Sequence, residues 1–419
     1  MKSSPKILVI GIGSFAQAMM QILKENGAEV YGYLNRDYGH YAPSLAGPVF
    51  LAERYPSPCP LIEKLGIDFV IPMDINWRLA PWADDFLALG VPIFAPTGEG
   101  MRIERERAFA QQLCQEAGIS FPKSFVANSK AEAEHITREQ NLPFVIKNRL
   151  CSVSSPVHTI LCETPEDTLS WLHRIDFSEG VFLQEFMGRR EAGHIAFISN
   201  GEIHPILTNQ EYKRAFDGNM GIIAGAPLGG IVEADPNDKY GLARDLLMPL
   251  LPWFKAVHFN GPIQVTGIFR DDTWHVLEYN VRIGVTCGPI ILRMFHNPVA
   301  LLQRIVQNKS ISVDFEPGRQ FGCMLTLAGY GYPFIKLDAP RLPVEQTDAF
   351  SCDVWWNEVE PDADGMLHMA GHRLADITAT GERYHETIDL AYQNIKKIRC
   401  LSSYYRTDIG QSMWPPGNE

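Results

Sequence analysis

The stretch FNGPIQVTGIFRDDTWHVLEYNVRIG, residues 259–284, carries the densest set of side chains able to do chemistry. Two strand-like runs flank Asp271-Asp272 in a hairpin pattern, with Gln264 on the first run and Glu278 on the second. Period-two alternation puts Glu278, Asn280 and Arg282 on one face, with Val276 preceding them, and Leu277, Tyr279 and Val281 on the other. Two hard oxygen donors suit Mg²⁺, which shares the phosphate oxygens of its substrate, and the guanidinium beside them suits a phosphate or carboxylate. A solvated strand face is the plain alternative for the same alternation.

A second candidate lies at the N-terminus. Gly11, Gly13 and Ala16 fit GxGxxA between the strand Lys6–Ile10 and a helix over Ser14–Lys24, where backbone N–H groups can approach a phosphate. Ser14 is placed to cap that helix. A nicotinamide dinucleotide would need an acidic residue at the end of the next strand, Glu29–Leu34, and the chain has Asn35 there. A tight turn that lets the helix pack on the sheet explains the glycines as well. The eight cysteines are scattered without a CxxC, so they read as reduced thiols. His368 and His372 are four apart, but Gly371 between them and the preceding PDADG turn argue against a helical zinc pair.

These residues need a frame, and 419 residues provide several domains' worth of chain. The net charge of −12 argues against a broad nucleic-acid-binding face while leaving room for a local basic pocket. No run approaches the roughly 20 apolar residues of a membrane span, and the N-terminus lacks a cleavable signal pattern, so a cytoplasmic protein is expected. Strands at Lys6–Ile10, Glu29–Leu34, Ile67–Ile71 and Val91–Phe94 alternate with helices, including one over Trp82–Leu89, which predicts a parallel α/β layer. A boundary near Thr97 is followed by a charged helix, Arg102–Ala117. The segment DFEPGRQFGCMLTLAGYGYPF shifts toward short strands and turns, and the last helix is predicted over His385–Ile398.

Seven pieces in one order resemble the ATP-grasp ligases, most closely the phosphoribosylamine–glycine ligases. They are ALGVPIFAPT with IERERAFAQQLCQEAGI, LPFVIK, VFLQEFMGRREA, QEYKRAFDGNMG, VLEYNVRIG, AGYGYP and YYRTDIG. The resemblance implies an α/β (α+β ATP-grasp) fold. Residues 1–101 would form an N-terminal parallel α/β domain, 102–315 the ATP-grasp domain with a lid over about 120–187, and 316–419 a small β-rich domain. It implies ATP and Mg²⁺ (or Mn²⁺) as cofactors. Arg107 and Lys147 would meet the nucleotide, Glu185, Phe186 and Met187 would edge the adenine, and Glu191 would hold the ribose. Glu278, Asn280 and Gln264 would bind the metal, with Arg282 and Lys147 catalytic. Substrate roles fall to Gly11, Gly13, Ser14, Lys213, Arg214 and Asp217. The partners implied are a small-molecule carboxylate and an amine, with no nucleic acid or membrane, in a monomer or homodimer.

Two segments depart from that family. Its glycine-rich lid loop, A-D-G-L-A-A-G-K-G-V, reads Asn148 to Val157 here, with Ser152, Ser154 and Ser155 left to meet phosphates and Pro156 removing a donor. Its R-F-G-D-P-E-T becomes Arg282 to Gly288, with Val285 and Cys287 in place of two carboxylates. The expectation is an ADP-forming ligase working through an acyl phosphate, with altered substrates. Glycinamide ribonucleotide synthesis, in purine biosynthesis, and a non-catalytic nucleotide-binding protein are the alternatives. The dehydrogenase suggested by the glycine loop comes last, since it explains nothing from residue 88 onward.

Overall fold

A computed structural model describes residues 4–34, 39–151, 159–284, 288–329, 331–333 and 340–411. The apolar run Lys6–Ile10 sits at the middle of a parallel sheet ordered Val49–Leu51, Glu29–Leu34, Lys6–Ile10, Phe69–Pro72. The helix Gly13–Glu25 buries Phe15, Met19, Ile22 and Leu23 on one side of it, as the spacing predicts. The expected strand Val91–Phe94 shrinks to one parallel bridge between Val70 and Ile93. Pro92 lacks the N–H that would extend the ladder there.

Residues 124–185 build a small antiparallel sheet ordered Ser124–Ala127, Val181–Glu185, Phe144–Asn148, Ile160–Leu161. The helices Lys130–Gln140 and Pro165–Leu172 cover it, enclosing a separate core of Phe144, Ile146, Leu183 and Leu172. The largest element is an antiparallel sheet that begins with Thr273–Asn280, Gly261–Arg270, Glu191–Ser199 and Glu202–Glu211. It continues through Gly229–Ala234, Phe321–Gly329, Arg373–Gly381 and Asp353–Trp356. This sheet therefore runs unbroken past residue 316, where the sequence changes character.

Two helix expectations need correction. Arg102–Ala117 is two helices, Arg102–Arg105 and Arg107–Glu116, because Glu106 is extended (φ −117°, ψ 97°). Glu106 bridges to Leu150, and Cys151 N donates to Arg105 O at 2.9 Å, so a strand-like contact takes the place of one helical turn. The final helix is Tyr384–Ile395, and Ile398–Arg399 instead pairs with Glu345–Gln346.

Candidate active site

The predicted hairpin forms, with Asp271 and Asp272 both at positive φ (51° and 56°), a conformation Asp tolerates in tight hairpin turns. Its ladder slips by one residue: Glu278 faces Thr266 while Val276 faces Gly267, leaving Leu277 without an opposite residue. A bulge reverses the alternation beyond it. Val276 therefore lies with Tyr279 and Val281 in the core behind the sheet, not on the face of Glu278. The bulge also frees the Leu277 carbonyl, which accepts from Lys147 Nζ at 3.2 Å and Gln184 Nε2 at 3.3 Å. Lys147 donates in addition to Gln184 Oε1 at 2.6 Å. Both acceptors are neutral, and burial lowers the lysine's pKa to about 8, with Arg107 adding to the shift and Glu278 opposing it.

Lys213 occupies the centre of an acidic cluster. Its ammonium lies 2.7 Å from Glu191, 3.0 Å from Glu278 and 4.0 Å from Glu211. Burial works against its charge, and the three carboxylates outweigh it. In return Lys213 holds Glu278 far below the usual carboxylate range against its burial, with Lys147 and Arg107 adding to the effect. Glu211 is raised by burial, which Lys213 only partly offsets. Asn280 accepts from Arg282 Nη2 at 3.1 Å. Gln264 pairs in register with Asn280 and is buried, and its Oε1 has no hydrogen-bond partner among the described residues. An ionised Glu278 and the amide oxygens of Asn280 and Gln264 form a hard-oxygen donor set that fits a divalent metal, with the Lys213 ammonium holding the place of a cation beside Glu278.

The remaining nucleotide candidates lie on or against the small sheet. Arg107 begins its helix and donates to Asn148 O at 2.8 Å, one residue beyond Lys147. Glu185 ends the strand Val181–Glu185, its N–H donating to Lys123 O, while Phe186 N–H donates to Pro143 O. Both backbone donors are thus spent within the protein. Met187 follows, half-buried. Two clefts open between the small and large sheets. One of about 270 Å³ is lined by Glu104, Arg107, Phe182, Leu277 and Glu278, and one of about 390 Å³ by Gly188, Glu191, Glu211, Lys213 and Arg214.

Four residues of this region escape a linear reading. Gln184 holds Lys147. Glu211 faces Lys213. Glu163 accepts from Arg189 at 2.8 and 2.5 Å and from Arg214 at 2.9 Å, tying the small sheet to the body. Glu104 lies 3.4 Å from Arg282. The partners of Gln184, Glu163 and Glu104 are remote in sequence, where no spacing rule connects them, while Glu211 is only two residues from Lys213.

The substrate candidates separate. Lys213 joins the acidic cluster, whereas Arg214 binds Glu163 and Gly221 O. Asp217 accepts from Thr407 N at 2.9 Å and from the Thr407 hydroxyl. Buried Arg406 donates to Arg214 O at 3.0 Å and pairs with Asp408. QEYKRAFDGNMG and YYRTDIG thus fold onto each other across 190 residues. The glycine loop is docked on the C-terminal strands. Ser14 donates to Asp376 and accepts from Asn357 Nδ2 at 3.0 Å. Gly13 N donates to Gly39 O at 3.0 Å. A Cβ on Gly13 (φ +61°) would lie 2.3 Å from Asn357 Oδ1, so this position requires glycine, and one on Gly11 would strike Met73. Asp376 also accepts from Thr326 at 2.7 Å and Arg373 at 2.8 Å. We expect Asp376→Asn to leave the buried Arg373 without its counter-charge and lower stability by about 3 kcal/mol, read as a fall in Tm by calorimetry; an unchanged Tm would contradict this.

Asn35, the loop residues Ser152, Ser154, Ser155, Pro156 and Val157, and Val285 and Cys287 lie outside the described residues. His368 lies on the strand Leu367–Met369, with Nδ1 3.0 Å from Met366 O. Among the described residues no helix is long and apolar enough to cross a membrane.

A small antiparallel sheet carrying Lys147 stands over a large antiparallel sheet carrying Glu278 and Asn280, and this is the ATP-grasp fold. Residues 105–286 match the family described as phosphoribosylglycinamide synthetase, ATP-grasp (A) domain. The chain is similar to the phosphoribosylamine–glycine ligase of Streptomyces coelicolor, 25% identical over 96% of this chain and 98% of that protein. It is similar also to that of Ralstonia nicotianae, 26% identical over 83% and 85%. The crystal structure of phosphoribosylamine–glycine ligase from Thermotoga maritima superposes with a TM-score of 0.77 at 21% identity, covering 96% of this chain and all of that one. The biotin carboxylase domain of Hydrogenobacter thermophilus 2-oxoglutarate carboxylase, solved with MgADP and bicarbonate, shares the fold at a TM-score of 0.70 and 12% identity, over 97% and 92%. ATP and a divalent metal are the cofactors this class uses.

Proposed function

We propose that the chain joins a small-molecule carboxylate to an amine through an acyl phosphate, converting ATP to ADP and phosphate. The observation that carries this reading is the convergence of Lys147, Lys213, Arg107 and Arg282 on Glu278 between the two sheets. A carboxylate and a triphosphate repel each other, so the reaction needs fixed cations more than it needs proton transfer. Lys147, anchored to Leu277 O, reaches the phosphates with Arg107 beside it. Glu185, Phe186 and Met187 edge the adenine, and Glu191 takes the ribose hydroxyls.

Glu278, Asn280 and Gln264 would hold Mg²⁺ (or Mn²⁺), which neutralises phosphate charge when bound. Arg282 faces the transferred phosphoryl group. The small sheet excludes water from the acyl phosphate, which otherwise hydrolyses. The amine then attacks the acyl carbon and phosphate leaves. Lys213, Arg214, Asp217 and the Gly11–Ser14 turn belong to the substrate side.

The replacement of two carboxylates by Val285 and Cys287, together with the glycine-poor lid loop, supports substrates other than glycine and phosphoribosylamine. A second reading, glycinamide ribonucleotide synthesis in the cytoplasm, is favoured by relatives of that name matching nearly the whole chain. ADP release measured against a panel of amino acids and amines, including glycine with phosphoribosylamine, decides. ADP with that pair alone establishes the second reading, and ADP with another pair establishes the first. Tight ATP binding without release under any pair would mean a nucleotide-binding protein that does not catalyse.

A further inference from the structure

The strand that carries Glu278 and Asn280 leaves the large sheet at Asn280, and the next residue, Val281, has lost its ladder. Its N–H is taken by Glu104 Oε2 at 2.6 Å, from a residue 177 positions earlier. The other oxygen, Oε1, lies 3.4 Å from Arg282 Nε. Glu104 is 5% exposed, and a carboxylate buried so deeply is costly unless its charge and lone pairs are matched. Here one oxygen accepts a backbone N–H and the other faces a guanidinium.

The helix carrying Glu104 is only Arg102–Arg105, ended by the extended Glu106. That break lets Arg105 O accept from Cys151 N at 2.9 Å and Glu106 bridge Leu150, just beyond the strand of Lys147. One short segment therefore grips the exit of the lysine strand and the exit of the Glu278 strand together.

We infer that Glu104 is a positioning residue for phosphoryl transfer, fixing Arg282 and, through Val281, the angle of Asn280 relative to Lys147. Its two carboxylate oxygens are taken by Val281 N–H and the Arg282 guanidinium. The inference rests on the ligase reading above, in which Arg282 meets the transferred phosphoryl group. A guanidinium displaced by about 1 Å loses roughly 100-fold in transition-state stabilisation, while ground-state nucleotide contacts made by Lys147 and Arg107 persist.

The test compares MgADP alone with MgADP plus fluoroaluminate, a mimic of the phosphoryl group in flight, by calorimetric titration of the whole chain. In the unaltered protein fluoroaluminate should tighten MgADP binding. In Glu104→Gln that gain should fall about 100-fold, with MgADP affinity itself held within about threefold. Glu104→Asp should restore part of it. Combining Glu104→Gln with Arg282→Lys should cost clearly less than the sum of the two single losses, since the route through the guanidinium is shared. Equal fluoroaluminate gain in Glu104→Gln and the unaltered protein would overturn the inference. So would equal weakening of both ligands, or additive losses in the double variant. Absence of any fluoroaluminate gain in the unaltered protein would instead sink the ligase reading, and this inference with it.

Discussion

Glu278→Gln should lower ADP release about 1000-fold with little change in thermal stability, an effect of the size expected when a preorganised charge at a phosphoryl-transfer centre is removed. The carboxylate is held far below its usual pKa by Lys213 first, against its burial, and then by Lys147 and Arg107, so it is ionised at any working pH. Glutamine keeps the shape and loses the charge. Lys213 retains Glu191 at 2.7 Å, which limits the stability loss that normally follows from stripping a buried ion of its partner. Turnover in a coupled ADP assay, read beside a calorimetric Tm, separates the two quantities. A variant within tenfold of the unaltered protein would remove Glu278 from the proposed chemistry.

The second large effect is on pH. Lys147 is lowered to about 8 chiefly by burial, with Arg107 contributing, and its hydrogen-bond acceptors Gln184 Oε1 and Leu277 O carry no charge. A triphosphate demands the ammonium form, so binding above pH 8 must take up a proton. The affinity for MgATP should then weaken about tenfold per pH unit above 8 and stay flat below it. The sign for folding is the opposite of the familiar ion-paired lysine. Below about pH 8 the folded protein carries a disfavoured charge, and that penalty is relieved as pH rises from 8 toward 10.5. Calorimetric titration at pH 7 and 9.5 measures the first effect. Lys147→Arg should flatten the profile, and Gln184→Glu should move its break upward by supplying a counter-charge. A profile in the unaltered protein that stays flat to pH 9.5 would show that Lys147 is not the group that meets the phosphates.

How much of this site can be read along the chain depends on the range of the interaction. The hairpin at Asp271-Asp272 is legible because turn chemistry is local, and so is the first βαβ unit, where Gly11 and Gly13 punctuate two apolar periodicities. Alternation through Glu278 and Asn280 reads correctly up to the bulge and fails at Val276, because one extra residue inverts a period of two. The helix predicted over Arg102–Ala117 fails at Glu106 for a different reason. Its composition favours a helix, and the bridge to Leu150 overrides that preference from outside.

What the chain determines unaided, then, is the inventory: the apolar periods that make a parallel layer and a hairpin, the order of segments resembling ATP-grasp ligases, and the acid, amide and guanidinium at 278, 280 and 282. What only the tertiary structure decides is which charges neutralise which. Lys213 sits among Glu191, Glu211 and Glu278, Lys147 rests on neutral Gln184, and Glu104 reaches Arg282. The reason is that backbone propensity acts over a few residues, whereas the interactions that set a buried group's charge act through a few ångströms of space between strands far apart in sequence.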